Sequence, residues 1–281
     1  LGLETAFRYD LHIHSNCSDG KLSPLEILQS AKQANLLGLS ITDHDTVQAY
    51  SDELFLQADA MGLKLLTGVE FSAKENQTTV HLLGYGFDYR HPAILNFCQK
   101  HLLIRENRNR EMIAKLAKKG FKITYEELLQ KKTSSSQVLG RPHIGELLLE
   151  KGHVRNLEEA FERYLGDERS CYVEPNNPSI EETIAVIHEA KGLAVLAHPY
   201  LFKKRRILKE ILKKPFDGIE CFYAKIPRHM AEDFVKICVE KNWLVTGGSD
   251  FHGSAKPYLH LGSSFIQQNE YDLILKRLAL K

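Results

Sequence analysis

Short apolar runs that break off into histidines and carboxylates recur along the whole chain. Residues 9–13 run into His14, 36–41 into Asp43-His44-Asp45, and 63–69 into Glu70. Residues 193–196 lead to His198, and 243–245 to Asp250-Phe251-His252. Runs this short, bounded by polar residues, read as buried parallel strands. Helical periodicity lies between them. A helix is predicted over 23–35, with Ser23 as N-cap, Pro24 in the first turn and Glu26 completing a capping box. A second spans 47–61 and is closed by Gly62. Another strand at 80–85 carries His81.

Past His91 the rhythm changes. Charged helices are predicted over 94–119, 125–129, 141–150 and 157–165, with stop signals at Gly120 and Gly152 and a polar loop over 131–136. The β/α alternation resumes with helix 179–191, strand 193–197, helix 204–214, strand 218–222, helix 227–241 and strand 243–246. Such alternation builds either an open doubly wound sheet or a closed barrel. An open sheet gathers its chemistry at one switch point, whereas here polar clusters follow strands along the full length. That distribution suits a barrel with its site at the strand ends. The expected division is a barrel from 1–90 and 178–281, interrupted by a helical insert over 91–177.

Composition narrows the class. With 281 residues, 43% hydrophobic and 26% charged, the chain is an ordinary globular protein able to bury a large core. Its 37 basic residues against 36 acidic argue against bulk-charge coating of duplex nucleic acid. No apolar stretch approaches the ~20 residues of a membrane span, and no signal-peptide layout opens the sequence. Cys17, Cys98, Cys171, Cys221 and Cys238 are scattered without a Cys-x-x-Cys pair, which suggests reduced thiols and a cytoplasmic setting. Cys17 lies close in sequence to the histidines, but a small buried filler is the simpler reading.

Alternate residues of a strand share a face, so His12 and His14 project together, and Asp250 and His252 repeat the logic at the last strand. Asp19-Gly20 adds a turn carboxylate. Asp43, His44 and Asp45 need their desolvation compensated, which a cation does well; His44 is the expected ligand, with Asp43 and Asp45 as supports orienting imidazoles. Glu70 ends its strand and could bridge two ions. Six other histidines (His91, His101, His153, His188, His229, His260) read as structural or exposed, without partners. Arg105, Arg108 and Arg110 recur along one insert helix, and a basic run covers 203–206.

The ordered motifs Asp10-Leu11-His12-Ile13-His14, Thr42-Asp43-His44-Asp45, Gly68-Val69-Glu70, Val80-His81-Leu82, Gly140-Arg141-Pro142-His143, Ala197-His198-Pro199 and Ser249-Asp250-Phe251-His252 resemble the PHP (polymerase and histidinol phosphatase) family of metal-dependent phosphoesterases. The resemblance covers nearly the whole chain. It implies an α/β fold, a distorted (β/α)7 barrel with a helical insert, and two to three divalent metal ions. Manganese is expected first; zinc or iron also suits His and carboxylate ligands without thiolates. Carried onto this sequence, His12, His14, Glu70 and Asp250 hold one ion, Glu70, His81 and His143 a second, and Asp19, His44 and His252 a third. His198 and Arg141 are the implied catalytic and phosphate-binding residues, with Arg108 a further substrate contact. The implied chemistry is attack on phosphorus by a metal-activated water.

The insert between His81 and the resumed barrel most resembles the branch that removes the 3′-phosphate of 3′,5′-nucleoside bisphosphates or trims short RNA from its 5′ end. The expected partner is therefore a small nucleotide or short oligonucleotide, with no membrane and no obligate protein partner. Histidinol phosphatase is the first alternative. A silent module that binds nucleic acid or supports a polymerase is the second.

Overall fold

The structure, a computed structural model, describes residues 7–134, 137–202 and 204–281. Ser135 and Ser136 of the predicted polar loop, and Lys203 of the basic run, lie outside the described residues. Seven strands form one sheet in sequence order: β1 (Tyr9–Ile13), β2 (Gly38–Ile41), β3 (Lys64–Glu75), β4 (Thr78–Tyr85), β5 (Leu193–Leu196), β6 (Gly218–Tyr223) and β7 (Leu244–Gly248). The sheet curls until its two ends meet. Asp250 N–H donates to His12 O at 2.8 Å, and His14 N–H to Phe251 O at 2.9 Å. Gly248 permits that approach, because a Cβ there would fall 2.4 Å from the His12 nitrogen.

Two features depart from a simple β/α rhythm. Strands β3–β4 and β4–β5 pair antiparallel, and β3 does not end at Glu70 but runs on to Glu75, with Glu70 opposite Leu83 in the hairpin. The predicted helix 47–61 is shorter. Tyr50 is drawn into the sheet, where its hydroxyl accepts from Ile41 N–H at 3.1 Å and donates to Ile41 O at 2.7 Å. Ser51 then caps helix α2 (Asp52–Ala60).

Helix α1 (Pro24–Gln33) carries the Ser23–Glu26 capping box. The insert comprises α3 (Pro92–Lys118), α4 (Tyr125–Leu129), α5 (Arg141–Glu150) and α6 (Leu157–Ala160), the last continuing as a π-turn over Phe161–Leu165. It encloses an apolar cluster of its own, including Met112, Leu116, Leu128, Ile144, Leu148 and Leu165. Helix α7 (Ile180–Glu189) precedes β5, and helices α8 (Arg205–Ile211), α9 (Glu232–Lys241) and α10 (Gln268–Leu278) follow β5, β6 and β7 in turn. Helix α10, which the hydrophobic pattern did not single out, stacks Tyr271 on Tyr9 at 3.9 Å between ring centroids. Among the described residues no helix is long and apolar enough to cross a membrane.

The insert docks beside the strand ends. Val138 N–H donates to Cys17 O at 2.9 Å, and Gln137 Nε2 to Ser18 O at 3.0 Å. From α3, Arg105 Nε donates to Asp45 Oδ2 at 2.6 Å.

Candidate metal centre

Glu70 sits at the middle of a buried constellation. Its Oε2 lies 3.4 Å from His12 Nε2, 3.2 Å from His14 Nε2 and 3.1 Å from His44 Nδ1. Its Oε1 faces the other way, 2.8 Å from His81 Nδ1 and 2.9 Å from His198 Nε2. Asp250 Oδ1 closes the first group, 3.3 Å from His14 Nε2 and 3.7 Å from His12 Nε2. Atoms at the corners of a tetrahedron around an ion, at bond lengths of 2.0–2.2 Å, are themselves about 3.4 Å apart. A third group gathers on Asp19, whose carboxylate lies 3.3 Å from His252 Nε2, 3.6 Å from His14 Nδ1 and 3.8 Å from His44 Nε2.

These donors fit divalent ions better than they fit one another. His14 Nδ1, His44 Nδ1 and His252 Nε2 are buried and have no hydrogen-bond partner, an arrangement that is costly without a cation. Burial pushes the Glu70 carboxyl up, but His44, His81 and His12 outweigh it and hold the group well below the usual carboxylate range. Burial sends His44 down to about 3 against the pull of Glu70 and Asp19. For His14, burial is overcome by Asp250 and Glu70, which lift it to about 9. A bound divalent ion would displace the proton these carboxylates hold there.

His143 is not brought to Glu70 and His81. It occupies the third helical position of α5, where its Nδ1 accepts Gly140 N–H at 3.1 Å, and its Nε2 is 3.3 Å from Gln137. The carboxylates acting on it are Asp19 and Glu146. The position expected for it is taken by His198, 3.3 Å from His81 Nδ1. Asp43 orients no imidazole either, since it accepts from Ser15 N–H at 2.8 Å, Ser15 Oγ–H and Ser18 Oγ–H. Asp45 binds Ser72 and Arg105, with His101 Nδ1 3.4 Å away. Both ring nitrogens of His101 remain without a hydrogen bond, whereas His188 is not partnerless, its Nε2 lying 2.6 Å from Asp217. Cys17 is a buried filler whose thiol burial pushes up to about 12.

Glu220 is the residue that sequence reasoning missed. It is wholly buried on β6, with Oε1 2.8 Å from His12 Nδ1 and Oε2 accepting the His198 backbone N–H at 2.7 Å. Its signal was a lone carboxylate inside an apolar strand. Asp250 likewise gains unforeseen partners in Tyr223 Oη–H at 3.0 Å and Lys256 Nζ at 3.2 Å.

Beyond His81 and His198 opens a cavity of about 730 Å³, walled by the start of β4 (Thr78, Thr79), Lys204 and, from the insert, Arg141 and Tyr172. Arg141 Nη1 donates to Asp167 Oδ1 at 2.6 Å, and its guanidinium lies 5.6 Å from the Tyr172 ring centroid. Arg108 approaches the same ring at 5.2 Å while its Nε donates to Val173 O. Arg110 instead lies over Tyr125, 3.8 Å from its ring centroid.

The PHP domain model matches residues 10–235. The chain belongs to the PHP family. Like its relatives it is a metal-dependent, hydrolytic phosphoesterase on a PHP-type barrel. A 5′-3′ exoribonuclease of Haemophilus influenzae is 34% identical, over 87% of this chain and 90% of that protein. A 3′,5′-nucleoside bisphosphate phosphatase of Chromobacterium violaceum is 30% identical over 86% of each. Among solved structures, a candidate metal-dependent phosphoesterase of Bifidobacterium adolescentis superposes with a TM-score of 0.86 at 30% identity, over 96% of both chains.

Proposed function

We propose that this PHP enzyme hydrolyses small nucleotide phosphoesters: the 3′-phosphate of 3′,5′-nucleoside bisphosphates, the 5′ end of short RNA, or both. The observation that carries the reading is Arg141 with Tyr172 at the wall of the cavity holding His81 and His198, backed by Arg108 against the same ring. Burial and the neighbouring Arg141 bring Arg108 down to about 10. No ion pair of Arg108 occurs among the described residues. A second phosphate on the substrate would satisfy Arg108 and compete with Asp167 for Arg141, and the aromatic ring offers a surface for a base. The names of the relatives support the same substrate class.

In this reading His12, His14, Glu70 and Asp250 hold one divalent ion, Glu70, His81 and His198 a second, and Asp19, His44 and His252 a third. Two to three ions are bound, with manganese first and zinc or iron as competing results of elemental analysis. Bound ions supply an activated water and neutralise charge on the phosphoryl oxygens. The chain's own contribution is to present deprotonated nitrogens, to keep Glu70 ionised, and to orient the ester with Arg141 and the 91–177 segment acting as a cap. The scattered cysteines, without a Cys-x-x-Cys pair, support a cytoplasmic setting.

Asp167, Glu168 and Glu174 also line the cavity, which favours an amine-bearing ester such as histidinol phosphate as the competing substrate. Metal-reconstituted protein is therefore assayed on adenosine 3′,5′-bisphosphate, 5′-phosphorylated short RNA and histidinol phosphate. Turnover of one of the first two, abolished by chelator and by His14→Ala, is expected. Arg108→Ala should raise KM for the bisphosphate by about 10- to 100-fold, as expected for a lost hydrogen bond to a charged group. Turnover of histidinol phosphate alone overturns the reading.

A further inference from the structure

We infer that Glu220 is a positioning residue for the metal centre: its two carboxylate oxygens fix which nitrogen of His12 faces the ions and hold the backbone that aims His198. The inference rests on the ligand assignment above and not on the identity of the substrate.

Glu220 is fully buried, on the central part of β6, and neither oxygen is spare. Oε1 is 2.8 Å from His12 Nδ1. A carboxylate is an acceptor only, so the proton of a neutral His12 ring must sit on Nδ1. Its Nε2 lone pair is then directed at the group formed by His14 Nε2, at 3.2 Å, and Glu70 Oε2, at 3.4 Å. The opposite tautomer would point a proton into the centre and leave two lone pairs facing each other at Glu220.

Oε2 serves the other ligand group. It accepts the His198 N–H at 2.7 Å, at a residue whose backbone adopts φ +27°. Positive φ costs a non-glycine residue energy and persists only where surrounding contacts over-determine it. The turn is what lets β5 (Leu193–Leu196) deliver the His198 ring to Glu70 Oε1 and His81 within two residues of its end. One side chain on β6 thus sets a ring on β1 and a loop after β5. The Asp19, His44 and His252 group makes no hydrogen bond to Glu220.

Glu220→Gln is the informative substitution. A carboxamide has one acceptor oxygen and one donor nitrogen, so it can receive the His12 proton or the His198 N–H, but not both. Whichever way it turns, one of the two ion positions around Glu70 is weakened. Loss of such a supporting contact typically lowers metal affinity by about 10- to 100-fold.

The test uses full-length protein and Zn²⁺, with a chromophoric chelator as competitor. Glu220→Gln is expected to weaken binding at one or both of the positions sharing Glu70, by about 10- to 100-fold each, and to leave the remaining position at its original affinity. Original affinity at every position overturns the inference, and so does a uniform loss at all of them. A measurement on the unsubstituted protein stands apart from any folding defect of the variant. In the Zn²⁺-loaded form, long-range ¹H–¹⁵N correlation should show the His12 proton on Nδ1 with Nε2 metal-bound; a proton on Nε2, or metal on Nδ1, overturns the assignment. Failure of the nucleotide assays would leave both readouts untouched, so the two proposals fail separately.

Discussion

Asp10 shows what the centre demands of a single residue. It is fully buried behind His12, and its carboxylate accepts from Ser249 N–H at 2.9 Å, Ser249 Oγ–H at 2.6 Å, Gly262 N–H at 2.8 Å and, more weakly, His12 N–H at 3.3 Å. Burial outweighs these donors and raises the group from its ordinary 3.8 to about 6. The folded chain therefore binds this proton more tightly than the unfolded one, and stability falls as pH rises between those two values. The gap corresponds to about 3 kcal/mol at 1.36 kcal/mol per pH unit. Compared with Asp10→Asn, which cannot titrate, the metal-free wild type should lose about 2 kcal/mol of relative stability from pH 4 to pH 7 in denaturant melts. A relative gain over that range would contradict the burial argument. At this scale much could be read from the chain itself. The alternation in Leu11-His12-Ile13-His14 is enough to aim two imidazoles at one point. Glu220 could not be read that way, because Ile219-Glu220-Cys221 looks like any strand interrupted by one polar residue. Only the folding of β6 near β1 gives that carboxylate its histidine. His143 misled for a related reason: its motif was right, but its ring is occupied in capping α5.

At the scale of elements, the joint between insert and barrel is held by Arg105. From α3 it reaches Asp45 and Ser72, and a Cβ on Gly140 would come within 3.0 Å of its guanidinium. The same arginine therefore touches the loop bearing His44, strand β3 and the approach to α5. Asp45 is about 1% exposed, so removing its partner strands a buried charge. Losing one member of such a pair costs about 3–5 kcal/mol. Arg105→Ala should lower stability by that order, and Arg105→Ala combined with Asp45→Asn should recover part of it. Urea melts of the four proteins in the cycle measure this; additive losses would mean the two side chains do not act together. Helix caps such as Ser23–Glu26 and Gly62 were plain in the sequence because they are local chemistry. The antiparallel course of β3 and β4 was not. Residues 63–69 end in a glutamate that mimics a strand terminus, while the hydrogen bonds that carry β3 on to Glu75 come from β4. Helix α10 was equally hidden, since its role is to cover Tyr9 from the far end of the chain.

On the scale of the whole molecule, ions bound at the centre would add to the stability of the fold. The centre gathers Glu70, Asp19 and Asp250 with imidazoles that have buried, unpartnered nitrogens. A ligand that binds only the folded chain adds about 2.7 kcal/mol at a hundred times its dissociation constant. Metal-free protein should therefore melt several degrees lower than protein titrated with Mn²⁺ or Zn²⁺, and EDTA should reverse the gain. A melting temperature indifferent to both would mean that the constellation does not bind ions.

The seam between β1 and β7 carries a consequence for how the enzyme is made. His12 and His14 leave the ribosome 238 residues before Asp250 and His252. Until then the early histidines have no closed ring around them, and a nascent chain offers any metal only an open, weak set of donors. The ring whose geometry can choose an ion is complete only once β7 has been made and has closed against β1.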